Sequence, residues 1–153
     1  MTPAAPAFAC RMCGECCRGE GGIVVTREEQ ERLSSLLGMD LESFCRRYTT
    51  SVGEKRVLAT GQDGYCIFFV KDRGCTVHSD KPDICRAWPF FRGNLIDAVS
   101  WEMAQESCPG IEPEVGHREF VRQGCAYLLR HGLARSRRPD VAAALIIDCR
   151  DLT

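Results

Sequence analysis

Apolar and polar positions alternate along this chain with two periods, and the change from one to the other outlines its elements. After Gly21-Gly22, the run Ile23-Val24-Val25 predicts a short strand. Thr26 with Glu29 three residues on forms a capping box that opens a helix. In that helix Leu33, Leu36 and Leu37 are read as one apolar stripe, and Gly38 as the left-handed stop. Asp40 caps a second helix with Leu41, Phe44, Cys45 and Tyr48 at i, i+3, i+4 and i+7, which makes Cys45 a core residue. From Lys55 the period shortens. Lys55–Thr60 and Tyr65–Val70 predict two strands joined by a hairpin turn at Gly61-Gln62-Asp63-Gly64. A second turn at Lys71-Asp72-Arg73-Gly74 leads to a strand Cys75–His78, and sets Cys66 and Cys75 across from one another.

Pro82 suits the first position of a short helical turn carrying Cys85, which Trp88-Pro89 ends. From His117, the positions Phe120, Val121, Cys125, Leu128 and Leu129 form the apolar face of a helix, with Cys125 in the core. Val141–Ile147 is apolar throughout and fits a buried helix or a strand equally well. The pattern predicts an α+β fold: a small single domain with two N-terminal helices, a small antiparallel sheet near residues 55–78 and a C-terminal helix. Residues 1–9 are expected to be a flexible segment, 10–110 a cysteine-cluster domain, and 111–153 a helical extension packed on it.

Composition changes this picture through one residue type. Eleven of the 153 residues are cysteine. Twenty basic and 21 acidic residues nearly cancel, so charge points to neither nucleic acid nor an acidic surface; Arg135-Ser136-Arg137-Arg138 reads as a solvated loop. No apolar run reaches the length of a membrane span. The first nine residues lack the basic start and apolar run of a signal peptide. An odd cysteine count also leaves one thiol over in any all-disulfide scheme. A reduced, cytoplasmic protein is expected, in which clustered thiols bind metal.

Four of the cysteines fall within eight residues: Cys10-x2-Cys13-x2-Cys16-Cys17. Thiols at this spacing can turn several soft ligands toward one centre, which suits zinc, copper(I) or iron–sulfur chemistry. Set in order with Cys66, Cys75 and Lys81-Pro82-Asp83-Ile84-Cys85-Arg86-Ala87-Trp88-Pro89-Phe90, the string resembles the YkgJ-like cysteine-cluster family of zinc- or iron-chelating domains. The resemblance spans roughly residues 10–110, and Cys108-Pro109-Gly110 matches the family's closing cysteine. His78 stands where the family is usually aromatic, Lys81 where arginine is usual and Trp88 where tyrosine is common. His78 is therefore read as a strand residue, not a ligand.

The resemblance implies eight metal ligands: Cys10, Cys13, Cys16, Cys17, Cys66, Cys75, Cys85 and Cys108. They fit two four-thiolate sites, or one cluster plus structural cysteines. Adjacent Cys16 and Cys17 would face opposite sides of an extended segment, so either they serve different sites or one of them supports the site from outside as a hydrogen-bond donor. Arg86, beside Cys85, is a candidate to offset thiolate charge around the bound cofactor, with a salt bridge as its alternative. Paired C-x2-C knuckles are the zinc habit. Three cysteines at this spacing plus a remote Cys-Pro match the ferredoxin string that holds a [4Fe–4S] cluster. Iron and zinc both stay open at this point.

No catalytic constellation is visible. A thiol-redox role for Cys13-Gly14-Glu15-Cys16 is weakened by the Pro/Ala-rich stretch before Cys10, which offers no preceding strand. Flagellin lysine methylases are similar to this family in their cysteine segments, and an accessory cluster protein for protein methylation is the third reading. A metal ion or cluster is the expected partner. Any protein partner is unspecified.

Overall fold

A computed structural model describes residues 5–11, 22–77 and 80–152. Cys13, Cys16, Cys17 and His78 lie outside the described residues. The fold is α+β, with the helices dominating and the sheet confined to short antiparallel pieces.

Helix α1 spans Arg27–Leu36, with both arms of the Thr26/Glu29 capping box formed, and Gly38 follows at φ 69°. Its buried side differs from the expected stripe. Leu33 is fully buried, but Leu36 and Leu37 face solvent, and the rest of the inner face is Glu29, Gln30 and Ser34. The helix turns this polar strip inward because other segments bind to it, as described below. Helix α2 (Leu41–Tyr48) is capped by Asp40 and buries Phe44; Cys45 is partly buried and donates to Gln30 Oε1 at 3.4 Å.

Strand β1 (Thr49–Val52) pairs with β2 (Lys55–Leu58), with Thr49 opposite Leu58 and Val52 opposite Lys55. On its other side β2 meets Ile23–Val25: Val24 bridges Val57, Val25 N–H donates to the Arg56 carbonyl and Leu58 N–H to that of Ile23. Both edges of β2 are thus occupied. The expected hairpin with Tyr65–Val70 is reduced to a bridge between Thr60 and Cys66 closed by Gly61 N–H on the Tyr65 carbonyl at 2.8 Å. The second turn does form a small hairpin, β3 (Phe69–Val70) with β4 (Gly74–Cys75). Its register sets Cys75 opposite Phe69, so Cys66 and Cys75 are not cross-strand partners.

Helix α3 (Asp83–Ala87) starts one residue later than expected, with Pro82 as its cap residue, and ends at Trp88-Pro89. Helices α4 (Arg92–Ile96) and α5 (Ala98–Ser107) were not expected. Helix α6 (Gly116–Arg130) buries Phe120, Val121, Cys125 and Leu128 and leaves Leu129 in solvent, correcting that one position of its face. Val141–Ile147 is neither helix nor strand. It makes a single 3-10 turn, then a bridge from Ile146 to Arg135.

Two aromatic groups organise the interior. Phe44, Tyr48 and Phe68 stack beside the sheet. Phe8, Phe90, Phe120 and Trp101 follow one another at centroid distances of 5.0–6.1 Å, linking the N-terminal segment to α5 and α6. Phe90 also packs against α6 where a Cβ on Gly124 would fall 2.6 Å from its ring. Only glycine admits the ring this closely. No helix among the described residues is long and apolar enough to cross a membrane.

Candidate metal centre

Backbone pairing brings the segments that carry Cys10 and Cys108 alongside one another. Cys108 ends α5 as its C-cap, its N–H donating to the Ala104 carbonyl, and its own carbonyl accepts from Ile111 N–H. The chain that leaves this turn meets the N-terminal segment antiparallel: Phe8 bridges Ile111, Ala9 N–H donates to the Gly110 carbonyl at 2.9 Å, and Glu112 N–H to that of Ala7 at 3.0 Å. Because the segments run in opposite directions, Cys10 and Cys108 leave the bridge toward the same end. The approach is close enough that a Cβ on Gly110 would lie 2.4 Å from the Ala9 carbonyl oxygen and 2.9 Å from Phe8 Cε2. The glycine of Cys108-Pro109-Gly110 therefore lets Phe8 and Ala9 lie against the turn that follows Cys108. Gln123 of α6 holds the same segment, accepting from Ala7 N–H at 2.7 Å and donating to the Ala5 carbonyl at 2.8 Å. Cys10 is exposed and Cys108 buried.

Cys85 is positioned by a buried polar network that the sequence did not suggest. Glu29 on α1 accepts from Thr26 N–H through Oε1, and from Asp83 N–H at the start of α3 through Oε2 at 2.8 Å. Arg32, one turn along α1, donates to the carbonyls of Asp80 and Lys81. The Asp83 carboxylate lies between Arg135 at 3.1 Å and Arg86 at 3.4 Å. Tyr127 of α6 donates to the Arg86 carbonyl at 3.0 Å. Helix α3 is only five residues long and would be marginal alone; these contacts from α1, α6 and Arg135 give it a fixed place. Burial first, and then the nearby Asp83 charge, raise Glu29 above the ordinary carboxylate range. The signal for this network was the acidic residue inside Lys81-Pro82-Asp83, together with a capping-box glutamate whose second oxygen had no local use.

Cys66 is buried beside Thr60, and Cys75 is partly buried at the end of the β3–β4 hairpin. Among the described residues no three cysteine, histidine, aspartate or glutamate side chains gather as a metal-holding group. The candidate ligands that are described, Cys10, Cys66, Cys75, Cys85 and Cys108, lie on separate elements, and Cys13, Cys16 and Cys17 lie outside the described residues. As a donor set the eight are all thiols, the ligand type that selects zinc and iron–sulfur centres over hard cations. Arg86 engages Asp83.

A family model described as "CxxCxxCC: Putative zinc- or iron-chelating domain" matches residues 9–109. The matched span opens at Ala9 and closes at Pro109, at the two segments that the Ala9–Gly110 pairing joins. No solved structure matches the chain.

Proposed function

The chain belongs to the CxxCxxCC family of zinc- or iron-chelating domains, and on that premise we propose that its cysteines hold a [4Fe–4S] cluster. Cys10, Cys13 and Cys16 supply three ligands from one loop, and Cys108 supplies the fourth. The observation that carries this reading is the pairing of Ala9 with Gly110, which turns the first cysteine of the string and the remote Cys108 toward one end of the same bridge. A Cys-Pro dipeptide as the remote ligand suits such a cluster. When bound, the cluster supplies one-electron redox capacity and a covalent cross-link among distant segments.

Cys17, Cys66, Cys75 and Cys85 are the remaining thiol donors and form a second, zinc-type set in this proposal. Arg86 acts on Cys85 indirectly, by pairing with Asp83 and steadying the helix that carries both. Because the ligands come from the N-terminal segment, the β3–β4 hairpin, α3 and the end of α5, metal binding and folding are coupled.

Substitution separates ligands from core thiols. Cys108→Ser and Cys10→Ser are expected to lose iron, whereas Cys45→Ala retains it. Full iron content in both serine variants would refute this ligand assignment.

A further inference from the structure

The outer face of α5 departs from the pattern of the other long helices. Helices α1, α2 and α6 each carry a pair of opposite charges on their surface: Arg27 with Glu31, Arg46 with Glu42 and Arg122 with Glu119. Helix α5 instead turns Val99, Glu102, Met103 and Glu106 outward. Val99 and Met103, one turn apart, are 58 % and 62 % exposed, and Ile96 just before the helix is 50 % exposed.

The two glutamates work against their own helix. Glu102 and Glu106 are like charges at i, i+4, and Glu106 stands in the last turn, where the helix dipole disfavours an anion. No cation relieves them. Residues 93–116 contain Asp97, Glu102, Glu106, Glu112 and Glu114 but no lysine, arginine or histidine. None of the five forms an ion pair among the described residues. Local choices that weaken their own element, next to solvated apolar side chains, mark a functional surface.

An apolar centre with a charged margin has the anatomy of a protein interface, and the sign of the margin selects the partner. A second copy of α5 laid on the first would set Glu102 and Glu106 against the same residues, and like charges across an interface oppose association. An anionic bilayer surface would be repelled in the same way. A surface rimmed with lysine or arginine is complementary.

We propose that the outer face of α5 docks a partner protein whose contact surface has an apolar centre and a basic margin. Val99 and Met103 supply the apolar contact, and Glu102 and Glu106 steer and orient the partner. The helix ends at Cys108, five residues and about 7–8 Å of helical rise beyond Met103, so the partner sits beside the remote ligand of the metal centre. That proximity rests on the proposed function, whereas the docking face does not depend on which metal is held.

The test uses the full chain, as purified with its metal, and a fluorescent synthetic amphipathic helix with a leucine stripe flanked by lysines. Binding is followed by anisotropy and located by hydrogen exchange. The expected result is saturable binding that protects residues 96–107 and weakens as salt rises. Affinity should fall about tenfold or more in Val99→Gln/Met103→Gln and in Glu102→Lys/Glu106→Lys. The same peptide with glutamates in place of lysines should not bind. Should a variant fail to fold, the site of protection in the native chain decides. Absence of binding, protection elsewhere, equal binding of the acidic peptide, or a dimer in sedimentation that Met103→Gln disperses overturns the proposal. Binding by protein without iron counts against the cluster alone, and iron-loaded protein without binding counts against the docking face alone.

Discussion

Replacing Gly110 by alanine tests whether the contact between the N-terminal segment and the Cys108 turn builds the metal centre. The added Cβ would stand 2.4 Å from the Ala9 carbonyl oxygen and 3.2 Å from the Ala9 carbonyl carbon. The two strands must part by at least 0.6 Å to bring the first contact to 3.0 Å. Parting of that size takes the 2.9 Å Ala9–Gly110 hydrogen bond to the limit of useful length. Overpacking of this kind costs about 1–3 kcal/mol, and the weakened bond adds about 1, for a total of roughly 2–4 kcal/mol. In a chain of this size that is a fall in melting temperature of roughly 5–15 °C. Because the displaced residue is next to Cys10, metal per chain should fall along with stability. Gly93→Ala is the control, since its Cβ would meet nothing within 4 Å inside α4; it should leave metal content unchanged and stability unchanged or slightly raised. Thermal unfolding and elemental analysis on both variants decide the matter. Gly110→Ala protein with full metal and stability within about 0.5 kcal/mol of the native chain would refute the reasoning.

Glu29→Ala leaves the N–H groups of Thr26 and Asp83 without their acceptor and should cost about 2–4 kcal/mol in denaturant unfolding, with reduced metal if α3 carries a ligand; an unchanged midpoint counts against the network. Gly124→Ala drives a Cβ into the Phe90 ring and should cost about 1–3 kcal/mol, read in the same assay. Stability should also fall with acid. Hydrogen bonds from Arg138 hold Glu28 and Asp140 at about 2, below their ordinary 4.5 and 3.8, so their contribution is full above those values and is lost as pH falls toward about 2. Glu29, raised by burial, runs the other way: its proton is held more tightly in the folded chain, so ionisation above 4.5 removes stability. Urea midpoints between pH 2 and 5 for the native chain and an Arg138→Ala variant check the first part, since the variant should lose the Glu28 and Asp140 component of the slope.

What the sequence disclosed and what it concealed follow from the physics of each element. The helices α1 and α2 were legible because local chemistry defines them: Thr26 with Glu29, and Asp40, bind their own helix starts. Helix α5 was hidden because its apolar residues face both ways. Val99 and Met103 are exposed while Trp101 and Ala104 are buried, which erases the helical period. The polar inner face of α1 was concealed for a different reason, since Glu29 and Arg32 serve residues about 50 positions away. The turn at Gly61–Gly64 was read correctly, but its hairpin was not, because β2 had already spent both edges on Ile23–Val25 and Thr49–Val52. At the metal centre, the sequence supplied the thiols and their family. It did not show that Gly110 and Gln123 dock residues 5–9, just before Cys10, because close backbone approach leaves no mark on hydrophobic periodicity.

The central claim is that the thiols hold a cluster, and elemental analysis with a visible spectrum on protein purified without oxygen tests it most directly. Iron and acid-labile sulfide in equal amounts, with a brown colour that is lost in Cys108→Ser, is the predicted result. Colourless protein holding zinc would contradict the cluster and keep cysteine-bound metal, because zinc is d10 and has no visible bands. Protein that carries neither metal after expression with ample iron and zinc would contradict both.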